Sequence, residues 1–210
     1  MCNGKKLESV STLDFIDIGA SKGGSYKHIQ KKFGMKNGIA IDLDEEKVAI
    51  SNRNSVPAIR LDATNMRLFN NNSAKLISII HTLEHLPDLS IIDSVLKECI
   101  RVATTTVYVK GPMFYDAYLR NLGLRFYWSH WKGHTCHIEP NKIIQIMKKH
   151  GVTNYRLGYI SPVSSSSDTV IHPINGLIDR HHYDPKKDPP KRMNVPLKGI
   201  YKEFELIFTL

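Results

Sequence analysis

Cysteine is scarce in this 210-residue chain: Cys2, Cys99 and Cys136 are all it has, and no two of them form a CxxC pair. An odd, widely spaced set excludes a disulfide framework and points to a reduced, cytoplasmic protein. Long hydrophobic runs are missing as well. None approaches the ~18 apolar residues that a membrane span requires. The opening MCNGKKLESVSTLDF has no apolar block of the kind a secretory signal carries, so none is expected there. Arginine-rich stripes are also absent. The net charge is +9, but the lysines are scattered, with short pairs at Lys31-Lys32, Lys148-Lys149 and Lys186-Lys187. Scattered lysine reads first as a solvated surface, and second as attraction to nucleic acid or a phosphorylated substrate. What remains is an ordinary globular composition, 41% hydrophobic and 23% charged, which suits a single domain over 1–210.

Apolar runs alternate with helical patterns along the chain. LDFIDI reads as a first strand, and Lys22 to Phe33 as a helix with Tyr26, Ile29 and Phe33 on one face. GIAID is a second strand, Glu45 to Asn52 a second helix, PAIRLD a third strand and KLISII a fourth. Asp88 can cap a helix whose stripe is Ile92, Val95, Leu96, Cys99, Ile100 and Ala103. TTVYVK is a fifth, β-branched strand. Pro140 opens another helix that Gly151 ends, and strands at Tyr155 to Ile160 and Tyr201 to Thr209 complete the pattern. This alternation predicts an α/β fold: a doubly wound, mostly parallel, seven-stranded sheet with helices on both faces. Ligands bind such sheets beyond the carboxyl ends of the strands. The polar segment 162–199, with SSSSD and DPKKDPP, reads as an insertion or lid between the last two strands.

The stretch DFIDIGASKGGS is a strand running into a glycine-rich turn and a helix. As a dinucleotide motif it is degraded, because Ser21 replaces the second glycine. Asp17 would also sit near the pyrophosphate and repel it. S-adenosylmethionine carries an ammonium and a sulfonium instead, so an acid there is favourable. Asp42, in Ile41-Asp42-Leu43-Asp44, is placed to accept hydrogen bonds from both hydroxyls of a ribose. Asp62-Ala63 comes after the third strand, where an acid can accept from an adenine amino group.

DIGASKGG, AIDLD, LDAT and above all HTLEHLPD, His81 to Asp88, resemble the class I S-adenosylmethionine-dependent methyltransferases, and in particular their type 11 branch. GHTCHIEP, Gly133 to Pro140, is similar to a histidine-bearing turn of the same branch. The resemblance spans roughly Leu13 to Tyr155. It implies a Rossmann-like methyltransferase with S-adenosyl-L-methionine held by Asp17, Gly19, Ala20, Ser21, Gly23, Asp42, Leu43, Asp62, Ala63 and His81. Ser21 departs from the family's glycine; ordinary backbone angles would let it hold the turn. Members usually carry one or two helices before the first strand, so a more open site is expected here, or one closed by the late segment or another subunit. Glu139 stands where the family prefers a threonine-like helix cap.

Methyl transfer is an in-line displacement, and the enzyme's part is largely to position the nucleophile and exclude water. An oxygen nucleophile must also lose its proton, for which histidine is the usual base. The candidates are His85, His134 and His137, with His130, Tyr115 and Asp116 nearby in the expected fold. No metal is expected, since His130, His134, Cys136 and His137 match no closed zinc spacing. Phe114, Phe126, Tyr127, Trp128 and Trp131 could stack on a sugar or an aromatic ring, or simply pack. The acceptor is read as a small molecule or glycan, methylated at oxygen. The alternatives are a nucleic-acid methyltransferase and a non-catalytic cofactor-binding module. A DNA amino-methylating enzyme would carry N/D-P-P-Y/F after strand four, where HTLEHLPD stands instead. A second copy of the chain, in a homo-oligomer, is the other candidate partner.

Overall fold

The computed structural model describes residues 13–114, 117–178 and 181–210. Tyr115 and Asp116, and the segment expected to lack covering helices, lie outside the described residues. The chain divides into two compact units, one of residues 1–80, 94–108 and 208–210, the other of 81–93 and 109–207.

The first unit contains β1 (Leu13–Ile18), α1 (Gly24–Phe33), β2 (Gly38–Asp42), α2 (Glu45–Arg53), β3 (Ala58–Arg60) and β4 (Ala74–Ile80). β1 pairs in parallel with β2 and with β4, and β2 with β3. Phe15, Ile16, Ile18, Ile41, Leu76, Ile77 and Ile79 are buried along these strands, as near-continuous apolar runs predict for a sheet covered on both faces. Gly38 is required where it is: a Cβ there would sit 2.3 Å from the Phe15 ring. Asp44 caps α2 by accepting from the N–H groups of Glu46 and Lys47. Arg101 and Glu98 tie down the stretch before β4. The guanidinium donates to the carbonyls of Met66 and Phe69, and Glu98 accepts from the Met66 N–H.

Three described elements run through both units: α3 (Leu89–Val102), β5 (Ala103–Pro112) and the final strand, Tyr201–Thr209. Asp88 caps α3 as expected, accepting from the N–H groups of Ser90 and Ile91. The second unit adds α4 (Ala117–Asn121), β6 (Leu124–Phe126), α5 (Pro140–Lys149), β7 (Asn154–Pro162) and β8 (Ile171–Pro173). β9 (Tyr201–Thr209) closes the chain. The main sheet has seven strands in the order β3-β2-β1-β4-β5-β9-β7, the mostly parallel, Rossmann-like arrangement expected. The strand order reverses between β1 and β4, which makes their carboxyl ends the ligand position of such a sheet.

The late polar segment is more built than its composition implies. β8 pairs antiparallel with β6, Phe126 opposite Ile171. Val163, Ile171, Leu197 and Ile200 join Phe114, Leu119, Leu124, Phe126 and Trp128 in one buried cluster. Thinly spaced apolar side chains thus gather into a small core of their own. Polar anchors reinforce it. The Lys191 ammonium donates to the carbonyls of Asp168 and Ile171, and buried Arg125 donates to those of Phe126, Tyr127, Gly176 and Leu177. Trp128 belongs to this core, and its indole N–H donates to the Met113 carbonyl.

Candidate functional site

In the first unit the turn after β1 alternates its backbone hand. Gly19, Ser21 and Gly23 have φ of 68°, 49° and 90°. Ser21 therefore does not hold the turn with ordinary angles. It takes the left-handed conformation a glycine would adopt freely, at a cost of roughly 1 kcal/mol. Its N–H is used: it donates to Asp42 Oδ2 at 3.0 Å, locking the first turn to the end of β2. Gly23 caps α1 with no side chain over the helix N-terminus, and a Cβ there would lie 2.7 Å from Val56. Ala20 is buried beneath the turn.

Asp17 is fully buried at the carboxyl end of β1, directly across from Ser78 of β4. Ser78 Oγ donates to Oδ1 at 2.6 Å, and Ser25 Oγ to Oδ2 at 2.5 Å. Burial pushes its carboxyl up to about 6, and the two hydroxyl hydrogen bonds only partly oppose that. Asp42 has both oxygens engaged by backbone, Oδ2 by Ser21 and Oδ1 by the Asp44 N–H. A carboxylate has about four lone-pair sites, so its position is fixed while acceptor capacity for a ribose remains. Leu43 beside it is 62% exposed, an apolar surface on which a base could lie. Asp62 Oδ1 accepts from the Thr64 N–H and hydroxyl, which sets the turn that Ala63 occupies.

In the second unit His81 also takes a left-handed φ, of 50°. Its Nε2 lies 2.6 Å from Glu203 Oε1, and its Nδ1 lies 3.3 Å from Glu84 Oε1. Lys110 Nζ reaches Glu203 Oε2 at 3.1 Å. Burial pulls His81 down, but the hydrogen bonds to the two carboxylates and their charges win and raise it to about 9. Its imidazolium is therefore part of a neutralised network. Glu203 is likewise pushed up by burial and brought below its ordinary value by His81 and Lys110.

His85 and His134 come together, with ring centroids 5.0 Å apart. Each has Nδ1 against a backbone carbonyl: His85 with Gly133 at 2.7 Å, His134 with Trp128 at 3.2 Å. A carbonyl can only accept, so both Nδ1 atoms carry hydrogen and the Nε2 lone pairs remain. Burial lowers His134, against a raising influence from Glu84. His137 stacks on Phe114 with ring centroids 4.4 Å apart. His130 is exposed. Glu139 makes no side-chain cap hydrogen bond, and Pro140 begins the helix without one. Glu84, Glu203 and Lys110 were not singled out from the sequence. The adjacency of Glu84 to His85 was the one legible signal, whereas Glu203 is 122 residues from His81.

A doubly wound sheet of this strand order defines a Rossmann-like fold, and acids stand at or just past the carboxyl ends of its first three strands. Residues 16–108 match the family model described as Methyltransferase domain. Solved structures share the fold. An S-adenosylmethionine-dependent methyltransferase from Archaeoglobus fulgidus is 14% identical with a TM-score of 0.63, covering 93% of this chain and 85% of its own. A Haloferax volcanii protein solved in complex with the Trm112 methyltransferase activator is 10% identical with a TM-score of 0.59, covering 93% and 81%. Phosphoethanolamine N-methyltransferase 2 of Haemonchus contortus, in complex with S-adenosyl-L-methionine, is 16% identical with a TM-score of 0.52, covering 74% and 36%. Among curated proteins no sequence matches the chain. Over residues 16–108 the chain thus matches a methyltransferase domain, and its fold is the one shared by these solved methyltransferases. No described helix is long and apolar enough to cross a membrane.

Proposed function

We propose that this enzyme moves the methyl group of S-adenosylmethionine to a hydroxyl oxygen of a small molecule or glycan, in a reduced, cytoplasmic setting. Asp17 would face the cofactor's ammonium, Asp42 its ribose hydroxyls, and Asp62 with Ala63 its adenine amino group. Leu43 would lie against the base, the Gly19 to Gly23 turn under the cofactor, and His81 toward its methionine end. The methyl carbon already bears a good leaving group, a neutral thioether, so the protein's remaining task is the acceptor's proton. The observation that carries this part is the pair of imidazoles at His85 and His134. Each is held by a carbonyl in the tautomer that leaves Nε2 as an acceptor. His137, stacked on Phe114, is the third candidate.

The test uses pools of hydroxyl-bearing metabolites and oligosaccharides, with S-adenosylhomocysteine formation as readout. Once an acceptor is found, His85→Ala, His134→Ala and His137→Ala should leave cofactor affinity unchanged by calorimetry. At least one should lower turnover by about 10²–10⁴. Full turnover in all three would overturn the histidine base. Methylation confined to nitrogen or to nucleic acid would overturn the oxygen acceptor.

A further inference from the structure

We propose that Glu84, His85 and His134 form a binding site for a divalent transition-metal ion. One ligand atom from each lies within 4.8 Å of the other two. These are two imidazoles and a carboxylate, a donor set that holds zinc, iron, manganese or cobalt and leaves coordination positions open.

The surroundings are arranged as a metal site requires. Metal-binding histidines usually donate their other ring N–H to a carbonyl or carboxylate, which fixes tautomer and orientation. Here both do, His85 to Gly133 and His134 to Trp128, and both present Nε2. Glu84 is only 2% exposed. His81 engages its Oε1, and a carboxylate offers a second oxygen. The two segments that carry the ligands are stapled together by backbone. The Cys136 N–H donates to the Glu84 carbonyl at 3.1 Å, and the Thr135 hydroxyl to the Leu86 carbonyl at 2.8 Å. Trp131 stands edge-on to both imidazoles, with centroids 5.7 Å from His85 and 4.8 Å from His134. Two imidazoles and a buried carboxylate thus each bring a ligand atom within reach of one ion.

The consequence for chemistry rests on the methyl-transfer reading. With a cation present, Nε2 of His85 and His134 are ligands and neither is a base. An acceptor hydroxyl in an open position would lose its proton to water, because the cation stabilises the alkoxide. The oxygen pair then forms the bond to the methyl carbon while the carbon–sulfur pair leaves on the thioether.

The test titrates Co²⁺ into the full chain after chelator treatment and dialysis, following visible absorption and calorimetry. One Co²⁺ per chain is expected, with bands of a nitrogen- and oxygen-ligated ion. His85→Ala and His134→Ala should each weaken binding more than about 100-fold; His130→Ala should leave it unchanged. Glu84→Gln should weaken it too, with circular dichroism reporting the fold of this buried variant. His85 is exposed and His134 half-buried, so those two variants decide the matter regardless of the third. The absence of saturable one-to-one binding, or equal affinity in His85→Ala and His134→Ala, would overturn the site. S-adenosylmethionine binding is measured separately. Cofactor binding without Co²⁺ binding defeats the cation alone, and Co²⁺ binding without cofactor binding defeats the methyl-transfer reading while leaving the cation.

Discussion

Asp17 in the first unit and Glu203 in the second are both shielded carboxylates that accept short hydrogen bonds, yet their electrostatic situations are opposite. Asp17 is met by two neutral hydroxyls, and burial lifts it to about 6. Glu203 is met by His81 and Lys110, which hold it below its ordinary value in spite of burial. The described partners of the first are neutral hydroxyls, whereas the second is met by two cations. That makes the second an ion-paired clamp. It also explains how His81 remains protonated near neutral pH.

The contrast between the units can be pressed hardest at the small core of the second. Phe126→Ala should cost about 3–5 kcal/mol there, read as faster amide exchange through β6 and β8. The residues of the first unit proposed to hold S-adenosylmethionine should still bind it. Loss of cofactor affinity in step with that exchange would show that the units do not act separately. Asp42→Ala comes next, with an expected loss of about 100-fold in cofactor affinity by calorimetry, since charge-assisted hydrogen bonds contribute about 1.5–3 kcal/mol each. Unchanged affinity would remove the ribose assignment.

Asp17→Asn separates function from stability more finely. Cofactor affinity should fall about tenfold or more as the ammonium loses its counter-charge. Stability at pH 7.5 should rise. The gap between an ordinary 3.8 and about 6 corresponds to roughly 3 kcal/mol against the wild type when the buried carboxylate is ionised. Proton counts give the sign. Between pH 4 and 6 the folded wild type binds more protons than the unfolded chain, so its stability recovers as pH falls through that window. The advantage of the variant should therefore shrink below pH 6 and vanish below 4, as followed by chemical denaturation. A constant advantage across that range would contradict the raised value. Ser21→Gly should have the smallest effect, a gain of about 0.5–1 kcal/mol in thermal unfolding as the left-handed strain is released. Cofactor affinity should hold, because the N–H that Asp42 accepts is retained.

The first unit was largely legible because its apolar runs have a period and its acids lie at strand ends. LDFIDI, GIAID and KLISII became β1, β2 and β4 to within a residue. Asp17, Asp42 and Asp62 were legible for the same reason, since a parallel sheet carries the carboxyl ends of its strands to one common edge. β6 and β8 were not, because three residues carry no periodicity, and their pairing joins positions far apart in sequence. The cluster of Glu84, His85 and His134 was half visible. The histidines stood out by type, but only a fold could bring two segments 48 residues apart into hydrogen-bonding contact. Ser21 was legible as a departure from glycine, but its backbone angle was not. The sheet-end hydrogen bond to Asp42 compensates for a conformation that local preference disfavours.

The burial of Asp17 has a bearing on turnover. The ammonium and carboxylate of the methionine arm are identical in S-adenosylmethionine and in S-adenosylhomocysteine; only the sulfur changes charge. A carboxylate anchored at β1 would grip donor and spent by-product alike, whatever acceptor is used. The by-product would then compete with the donor for the same site, and occupancy would follow the ratio of the two compounds.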